Sequence, residues 1–265
     1  MRKFLLLFFL APALFASPVG NPAGPGLMQA GLFSSSNPWV KVTTGYVSDY
    51  VINMPLKFSS GSAEFNPKET FKHFGLNSQM ASFSLVLLQR LEAYALFGGS
   101  KEHLKWHEEP HTSIYSALFD FQSSYHFSWA SGVRIILLQW GQTFFSCDGS
   151  YFAIPSSQKS FFKFLNRLHL PIDQEKQHFN LREWQAGAAL SSRFWIITPY
   201  AGAKYLRAKL HIQSGTESSA LNYCNSRRLG YYYGVTISLT SKFLITGERR
   251  MRDEFAYMFS TQAVF

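Results

Sequence analysis

Alternation of apolar and polar residues is clearest in LGYYYGVTISL, residues 229–239. Every second residue, from Leu229 to Leu239, is large and apolar, whereas the residues between them are mostly small or polar. Because successive side chains of a β-strand point to opposite faces, one face of this strand suits lipid and the other suits a polar lumen. A soluble β-sandwich also alternates, so this stretch by itself leaves both architectures open.

The same alternation recurs along the chain, in short runs that Gly, Pro, Asn and Ser clusters separate. It predicts strands at 39–52, 79–88, 90–98, 112–125, 129–139, 142–153, 180–191, 194–212, 227–239, 242–251 and 254–265, with 161–170 as a twelfth candidate. Single-chain bacterial barrels have even strand numbers. We therefore predict an all-β fold, a transmembrane antiparallel up-and-down β-barrel of about 12 strands, within a range of 10 to 16.

Four long connections separate these strands, near 53–78, 99–111, 154–178 and 213–226. Long connections of such barrels are ordinarily extracellular. The predicted strands do not place all four connections on one side when the chain is traced back from Phe265. At least one strand is therefore missed or wrongly bounded.

The C-terminus carries a more specific pattern, because the chain ends on an aromatic residue that continues the alternation of its last strand. Phe255, Tyr257, Phe259 and Phe265 fall on one face. A terminal Phe after alternating aromatic residues is typical of outer-membrane barrels, in which it closes the barrel and is read by the assembly machinery. The alternative is a buried last strand of a soluble protein.

The N-terminus predicts secretion. Arg2 and Lys3 precede the apolar run 4–10, and small Ala16 follows at a cleavage position, which is the layout of a signal peptide at 1–16. The apolar run is too short for a spanning helix of about 20 residues. Residues 17–38 then form an irregular segment rich in Pro, Gly, Ser and Asn, and 39–265 form the barrel. We predict a location in the bacterial outer membrane.

Composition supports the barrel and argues against nucleic acid. Aromatic residues make up 17% of the chain, which is high for a soluble domain, and transmembrane barrels use them on the lipid face and in interfacial girdles. The net charge is +9, but no run of Lys or Arg exceeds two residues. A secreted chain without a dense basic patch does not predict a nucleic-acid partner.

Charges on the predicted inward faces are the candidate pore-lining residues: Lys41, Asp49, Arg134, Glu183, Lys242, Glu248 and Arg250. Their mixed signs, with a slight basic excess, predict a weak preference for anions. The alternative is that these charges pair with one another and fill the lumen. The charges at 249–254 fit a solvated turn as well as a pore lining.

No residues predict catalysis, a cofactor or a metal. The chain has no G-x-S-x-G motif, so a hydrolase of the barrel type is a weaker alternative. His103, His107 and His111 have a spacing that would suit a metal site on a helix, but they fall in a predicted polar loop. Cys147 and Cys224 could form one disulfide in an oxidising compartment or stay free.

Three stretches resemble the chlamydial major outer-membrane porin family. They are Pro18-Val19-Gly20-Asn21-Pro22-Ala23 with Gly26-Leu27-Met28; Glu183-Trp184-Gln185-Ala186 with Ala189-Leu190-Ser191, Arg193, Thr198-Pro199-Tyr200, Gly202 and Lys204; and Arg250, Asp253, Glu254, Gln262 and Phe265. The stretch 129–138 is a looser match. The motifs keep their order and span both ends and the middle of the chain. The chain is shorter than those porins and poor in cysteine, so neither their pore size nor their disulfide network carries over.

The resemblance implies a porin through which small solutes or ions diffuse passively. Its partners would be outer-membrane lipid, the barrel-assembly machinery and the solutes or ions themselves, and homo-oligomerisation is left open. The alternative is a non-conducting structural barrel, adhesin or surface antigen, which needs the same strands and loops.

Overall fold

The structure is a computed structural model, and it describes residues 20–27, 39–61, 73–108, 117–159, 162–165, 168–171, 177–213, 220–240 and 242–265. The predicted signal peptide at 1–16 lies outside the described residues. In the described part of the chain, no helix is both long enough and apolar enough to cross a membrane.

The described residues form one short helix and fifteen strands. In chain order they are α1 (Gly24–Leu27), β1 (Val40–Asn53), β2 (Leu56–Gly61), β3 (His73–Leu87), β4 (Leu91–Glu108), β5 (Ala117–Gln122), β6 (His126–Trp140), β7 (Thr143–Lys159), β8 (Phe162–Leu165), β9 (Leu168–Pro171), β10 (Gln177–Ser192), β11 (Ile197–Gln213), β12 (Ala220–Asn225), β13 (Leu229–Thr240), β14 (Phe243–Met251) and β15 (Phe255–Val264).

Ten of these strands close into a barrel. They pair in the order β1, β3, β4, β6, β7, β10, β11, β13, β14 and β15, and β15 pairs back onto β1. Every pair is antiparallel, and each strand lies beside the next barrel strand along the chain. Closure leaves no unpaired sheet edge, as lipid requires. The predicted all-β antiparallel up-and-down barrel is confirmed.

The barrel has ten strands rather than twelve, a number that lies within the predicted range of 10 to 16. The segment 112–125 is predicted to be a barrel strand, but Ala117–Gln122 within it forms β5, which pairs with the end of β4 beyond Ser100. From Leu91 to Ser100, β4 pairs with β6 instead. The twelfth candidate, 161–170, contains β8 and most of β9, which also lie outside the barrel. The ten remaining predicted strands are those that close it.

The corrected strand list also places the long connections on one side. Connections of two to four residues follow β3, β6, β10 and β13, at the end where β1 begins and β15 finishes. Long connections follow β1, β4, β7 and β11 at the other end. Short turns are periplasmic and long loops extracellular in such barrels. The bounds of these connections differ from those predicted, because β3 already begins at His73 and β4 continues to Glu108.

The five shorter strands extend the wall at the extracellular end. There β12 pairs with β11 and with β2, while β5 pairs with β4 and with β8, which pairs with β9. These five strands therefore extend the sheet beyond the extracellular end of the ten-stranded barrel.

Side chains alternate between a buried lumen face and an exposed outer face. In β11, for example, Tyr200 is buried at 3% exposure, while Ile197 on the outer face is 45% exposed. Large apolar side chains are exposed on the outer faces of the barrel strands: Val40, Val42, Tyr46, Tyr50, Ile52, Phe83, Leu85, Phe97, Phe127, Val133, Leu190, Ile197, Tyr231, Tyr233, Tyr257 and Phe259. A soluble monomer does not expose so much apolar surface around its whole wall, so this belt faces lipid.

The last strand completes this wall. Tyr257 and Phe259 point outward, and the backbone N–H of Phe265 donates to the carbonyl oxygen of Val42 at 2.9 Å. The Phe265 side chain itself is 78% exposed, beyond the end of β15. Its predicted role in assembly remains a prediction.

Candidate functional site in the barrel lumen

Five of the seven predicted pore-lining residues are buried on the lumen face: Asp49, Arg134, Glu183, Glu248 and Arg250. Lys41 is only half-buried, at the periplasmic end of β1. Lys242 is exposed in the short turn between β13 and β14, so its assignment to the lumen is wrong. Its side chain is exposed because it lies in the turn, one residue before β14 begins at Phe243.

Arg250 is the centre of one group of charges. Its Nη2 donates to Oδ1 of Asp49 on β1, and its Nη1 lies 3.2 Å from Oε1 of Glu254. Its Nε lies 3.9 Å from Oε1 of Glu248 on the same strand. Strands β1 and β14, which flank β15, thus share one guanidinium. A buried Arg that contacts several carboxylates fixes their positions better than a flexible Lys would.

Lys204 is the second centre, and the sequence analysis did not assign it to the lumen. Its Nζ lies 3.1 Å from Oδ2 of Asp253 and is also paired with Glu254, and it donates to Oε1 of Gln185 at 3.4 Å. The side chain is fully buried. The tight turn after β14 makes this contact, because Arg252 has a φ of 83° and the next two residues turn inward.

The charges at 249–254 are therefore divided between the two faces. Arg250, Asp253 and Glu254 are buried in the lumen, whereas Arg249 and Arg252 lie on the outside. The solvated-turn alternative for the whole stretch is wrong, because two of its carboxylates meet Lys204.

Arg134 is the third cation of the lumen. Its Nη1 lies 3.3 Å from Oε2 of Glu92 on β4, and its guanidinium carbon lies 4.3 Å from the centre of the Tyr94 ring. Glu92 is fully buried. This arginine combines an ion pair with a cation–π contact, both across the β4–β6 pair.

Three buried tyrosines fill the lumen between these charges, and each ring lies over a glycine of the neighbouring strand: Tyr94 over Gly132, Tyr200 over Gly234, and Tyr232 over Gly202. A Cβ added to Gly202 would lie 2.6 Å from Cζ of Tyr232 and 2.4 Å from a backbone oxygen. Any larger residue at these glycines would collide with the tyrosine rings. Tyr200 also donates to Oε2 of Glu248 at 2.9 Å.

The described lumen contains more acidic than basic residues. Eight acidic side chains are buried in it, Asp49, Glu92, Glu102, Asp148, Glu183, Glu248, Asp253 and Glu254, against the three basic side chains Arg134, Lys204 and Arg250. The basic excess on which the predicted anion preference rested is therefore reversed. Oε1 of Glu183 has no hydrogen-bond partner among the described residues. An acidic lumen attracts cations.

An N-terminal segment, residues 20–27, lies inside the barrel towards its periplasmic end and is buried throughout. Asn21 donates to Oγ1 of Thr236 at 3.1 Å and accepts from the Ser191 hydroxyl at 3.1 Å. Leu27 packs in a buried apolar cluster with Ile136 and Phe144. Sequence analysis placed this segment before the barrel, and its small residues let it fit within the wall.

Two of those small residues lie close to the wall. A Cβ on Gly20, which has a φ of 61°, would lie 2.8 Å from Nη2 of Arg134, and one on Gly26 would lie 2.6 Å from Cδ1 of Ile136. Between this segment and the wall is a cavity of about 20 Å³, whose lining includes Ser82 and Thr246. That volume holds one or two water molecules. The N-terminal segment therefore fills most of the lumen's cross-section at this level.

An apolar layer occupies much of the extracellular half of the lumen. It is one cluster of buried side chains from eight of the ten barrel strands, all except β13 and β14, and from residues 54–56 and β12: Val47, Val51, Met54, Leu56, Phe74, Leu76, Met80, Tyr94, Leu96, Leu104, Ala130, Phe152, Ile154, Phe179, Leu181, Leu206, Ala208, Leu210, Ile212, Tyr223, Ala256 and Met258. Phe74, Leu104, Ile154, Phe179 and Leu181 have no exposed surface. The described lumen is thus closed at two levels, with the charged groups between and around them.

The structure decides between the two alternatives left open for the cysteines and corrects the loop assigned to the histidines. Cys147 and Cys224 are both free thiols, because Cys147 lies on the outer face of β7 and Cys224 lies on β12 at the extracellular end. His103 and His107 lie in β4 rather than a loop, and His103 packs edge-on against His73 at 5.4 Å. His111 lies outside the described residues. No group of three metal-binding side chains occurs in the described ranges.

Comparisons with known proteins agree with this architecture. No family model matches the chain. The major outer membrane porin, serovar E, of Chlamydia trachomatis is 23% identical over a 279-residue alignment. The alignment covers 75% of this chain and 71% of that porin. The chain is therefore distantly related to the chlamydial major outer-membrane porins, and with its lipid-facing belt this places it in the outer membrane.

Solved structures with a similar architecture have low identity and low TM-scores. An outer-membrane channel of Pseudomonas putida is 11% identical with a TM-score of 0.40, covering 87% of this chain and 97% of that one. The toluene transporter TbuX of Ralstonia pickettii is 9% identical with a TM-score of 0.39, covering 91% and 92%. The outer membrane protease OmpT of Escherichia coli is 10% identical with a TM-score of 0.36, covering 85% and 94%. At these scores none of them indicates what this chain binds or catalyses.

Proposed function

We propose that the chain is a porin-like channel through which small solutes or ions cross the outer membrane passively, and that the described structure is its closed state. The observation that carries this proposal is the set of buried charged groups around Arg250, Lys204 and Arg134. Ionisable groups at membrane depth are costly, and they commonly line ion or substrate pathways. The distant relationship to a porin supports the same conclusion.

Closure has two parts in this account. The N-terminal segment occupies the lumen towards the periplasmic end, and the apolar layer occupies much of the extracellular half. Apolar constrictions stop ion flow by excluding water. The channel therefore opens only when both levels part, which implies brief and infrequent openings.

The path favours cations in this proposal. Eight buried carboxylates outnumber three buried basic groups, so the lumen has an acidic balance wherever these groups are ionised. Rings of acidic side chains select cations in channels. This replaces the weak anion preference that the sequence suggested.

The test is the reversal potential of single channels in a planar bilayer separating two KCl concentrations, using refolded protein without its signal peptide. We expect cation preference, a reduction of it in Glu183→Gln, and an increase in Arg134→Gln. Arg207→Gln, on the outer face of the same barrel, is the control and should leave the reversal potential unchanged. Anion preference in the wild type, or identical potentials in all four proteins, would contradict the proposal.

A second candidate function is a non-conducting structural barrel or surface antigen. The fully buried side chains of the apolar layer favour it, because they pack like a protein core. A correctly folded barrel that never conducts would establish this candidate and exclude the channel. Under either candidate we propose that the chain is not an enzyme.

A further inference from the structure

Acidic and basic side chains are separated between the two faces of the wall. All eight acidic residues whose side chains the structure describes are buried in the lumen. Of the basic residues described, only Arg134, Lys204 and Arg250 are buried there, and the others lie on the outer surface or at the barrel ends. The described outer surface is therefore basic, without acidic side chains to neutralise it.

Outward basic residues are concentrated at the extracellular end of four neighbouring strands, β10, β11, β13 and β14. We call them the outer basic cluster: Arg182, Arg207, Lys209, Arg228, Arg249 and Arg252. Strand pairing brings them together, because Arg182 lies opposite Lys209, and Arg207 lies opposite Trp184. Arg228 and Arg252 lie at the start of β13 and just after β14, at the same end of the barrel.

Tyrosine side chains hold three members of the cluster in place. Arg228 donates to the hydroxyl of Tyr205 at 3.2 Å, and Arg252 donates to the hydroxyl of Tyr231 at 2.9 Å. The guanidinium carbon of Arg252 also lies 5.5 Å from the centre of the Tyr231 ring.

Arg249 is held in the same way on the next strand. It donates to the Tyr233 hydroxyl at 3.4 Å, and its guanidinium carbon lies 5.1 Å from the Phe255 ring centre and 5.6 Å from that of Tyr257. Cation–π contacts and phenol hydrogen bonds orient an arginine without neutralising its charge. The three guanidinium groups are thus positioned and remain positively charged at the boundary between the apolar belt and the extracellular side.

We propose that the outer basic cluster binds the phosphate groups of a phosphorylated glycolipid in the outer leaflet. Arginine forks match phosphate oxygens in two-point hydrogen bonds, and the rings beside them suit the interface between headgroup and acyl chains. The apolar belt directly below, which includes Tyr231 and Tyr233, would take the acyl chains. Charge, position and neighbouring surface therefore fit one amphiphile with an anionic head.

The periplasmic end provides a contrast within the same molecule. Its outward basic residues are distributed singly among separate turns, with Arg90 after β3, Arg193 after β10 and Lys242 after β13. Single basic residues in an interface act as anchors that reach towards water. They provide matched control positions for the extracellular cluster.

The test measures binding of the refolded barrel to phosphatidylcholine vesicles that contain lipid A with two phosphates. The cluster variant is Arg228→Gln, Arg249→Gln, Arg252→Gln, and the control is Arg90→Gln, Arg193→Gln, Lys242→Gln. Each basic residue near an anionic surface contributes about fivefold in affinity, so the cluster variant should bind about 100-fold more weakly. The control should change by less than about fivefold. Heat-modifiable migration on a gel checks that both variants fold.

Three results would overturn the proposal. The first is equal weakening by both triple variants, which would mean a general surface-charge effect. The second is equally tight binding to vesicles with phosphatidylglycerol in place of lipid A, which would mean that any anionic lipid suffices. The third is release of the protein by millimolar inorganic phosphate at constant ionic strength, which would mean a site for free anions. Cluster-dependent, lipid A-specific binding that resists phosphate would support it.

Discussion

At the scale of single residues, the lumen depends on a few cations that hold a larger number of carboxylates. Lys204 contacts both Asp253 and Glu254, and removing it leaves those carboxylates short of positive charge in a buried site. Removing one partner of a buried ion pair typically destabilises a protein by about 3–5 kcal/mol. We expect Lys204→Met to lower the free energy of unfolding by about that amount, as measured by urea titration in detergent micelles.

Lys209→Met is the matched control for that substitution. Lys209 lies on the same strand, but on the outer face. Exposed substitutions usually change stability by about 0.5 kcal/mol or less. If the two variants unfolded at the same urea concentration, the ion pairs of Lys204 would not contribute to stability as described.

Glycines of the barrel strands differ in the space around them. Gly202 lies under the Tyr232 ring and against a backbone oxygen, whereas a Cβ on Gly247 would have nothing within 4 Å. Overpacking costs about 1–3 kcal/mol, so Gly202→Ala should lower the unfolding midpoint in urea while Gly247→Ala should not. Equal midpoints for the two variants would count against the packing of Tyr232 over Gly202.

Sequence alternation identifies lumen residues only where the two faces differ in character. It places Arg134 inward because its outward neighbours, Val133 and Ile135, are apolar. It does not assign Lys204 to the lumen, because both faces of β11 carry apolar as well as basic side chains. The inward turn of Glu254 follows from the backbone at Arg252, and alternation carries no information about that turn.

At the scale of elements, ten of the predicted strands are barrel strands, and the two that are not, 112–125 and 161–170, have a physical explanation. The segment 112–125 contains Ala117–Gln122, which forms β5 and pairs with β4. It belongs to the extracellular extension, and local sequence does not distinguish a strand at membrane level from one above it. Only the pairing of β4 with β6, from Leu91 to Ser100, decides this point.

The last strand allows assembly and stability to be tested separately. Phe265 contributes one backbone hydrogen bond to Val42, and its side chain is mostly exposed. Deleting Phe265 should therefore change the urea midpoint of the refolded barrel by little, since one net hydrogen bond is worth about 1 kcal/mol. In cells, the same deletion should reduce the heat-modifiable fraction in outer membranes. Normal insertion in cells would contradict the predicted assembly role of the C-terminal pattern.

At the scale of the whole molecule, the sequence predicts the barrel but does not show whether its lumen is open. The contacts that fill it join distant parts of the chain, as when Asn21 donates to Thr236 across 215 residues. The apolar layer is also hidden from pattern analysis, because it places Leu181, Leu206 and Leu210 inward where a wide pore would have polar side chains. Alternation between apolar and polar residues weakens wherever both faces are apolar.

In the proposed channel, two levels in series close a polar, acidic path. The probability of opening is then the product of two smaller probabilities, so removing one level raises it whatever the other does. The most direct measurement is the single-channel open probability, in a planar bilayer, of the refolded chain with and without residues 20–27. We predict rare openings in the full chain and several-fold more frequent openings in the deletion. Silence from both proteins, with both migrating as folded heat-modifiable barrels, would contradict the channel and leave a structural barrel.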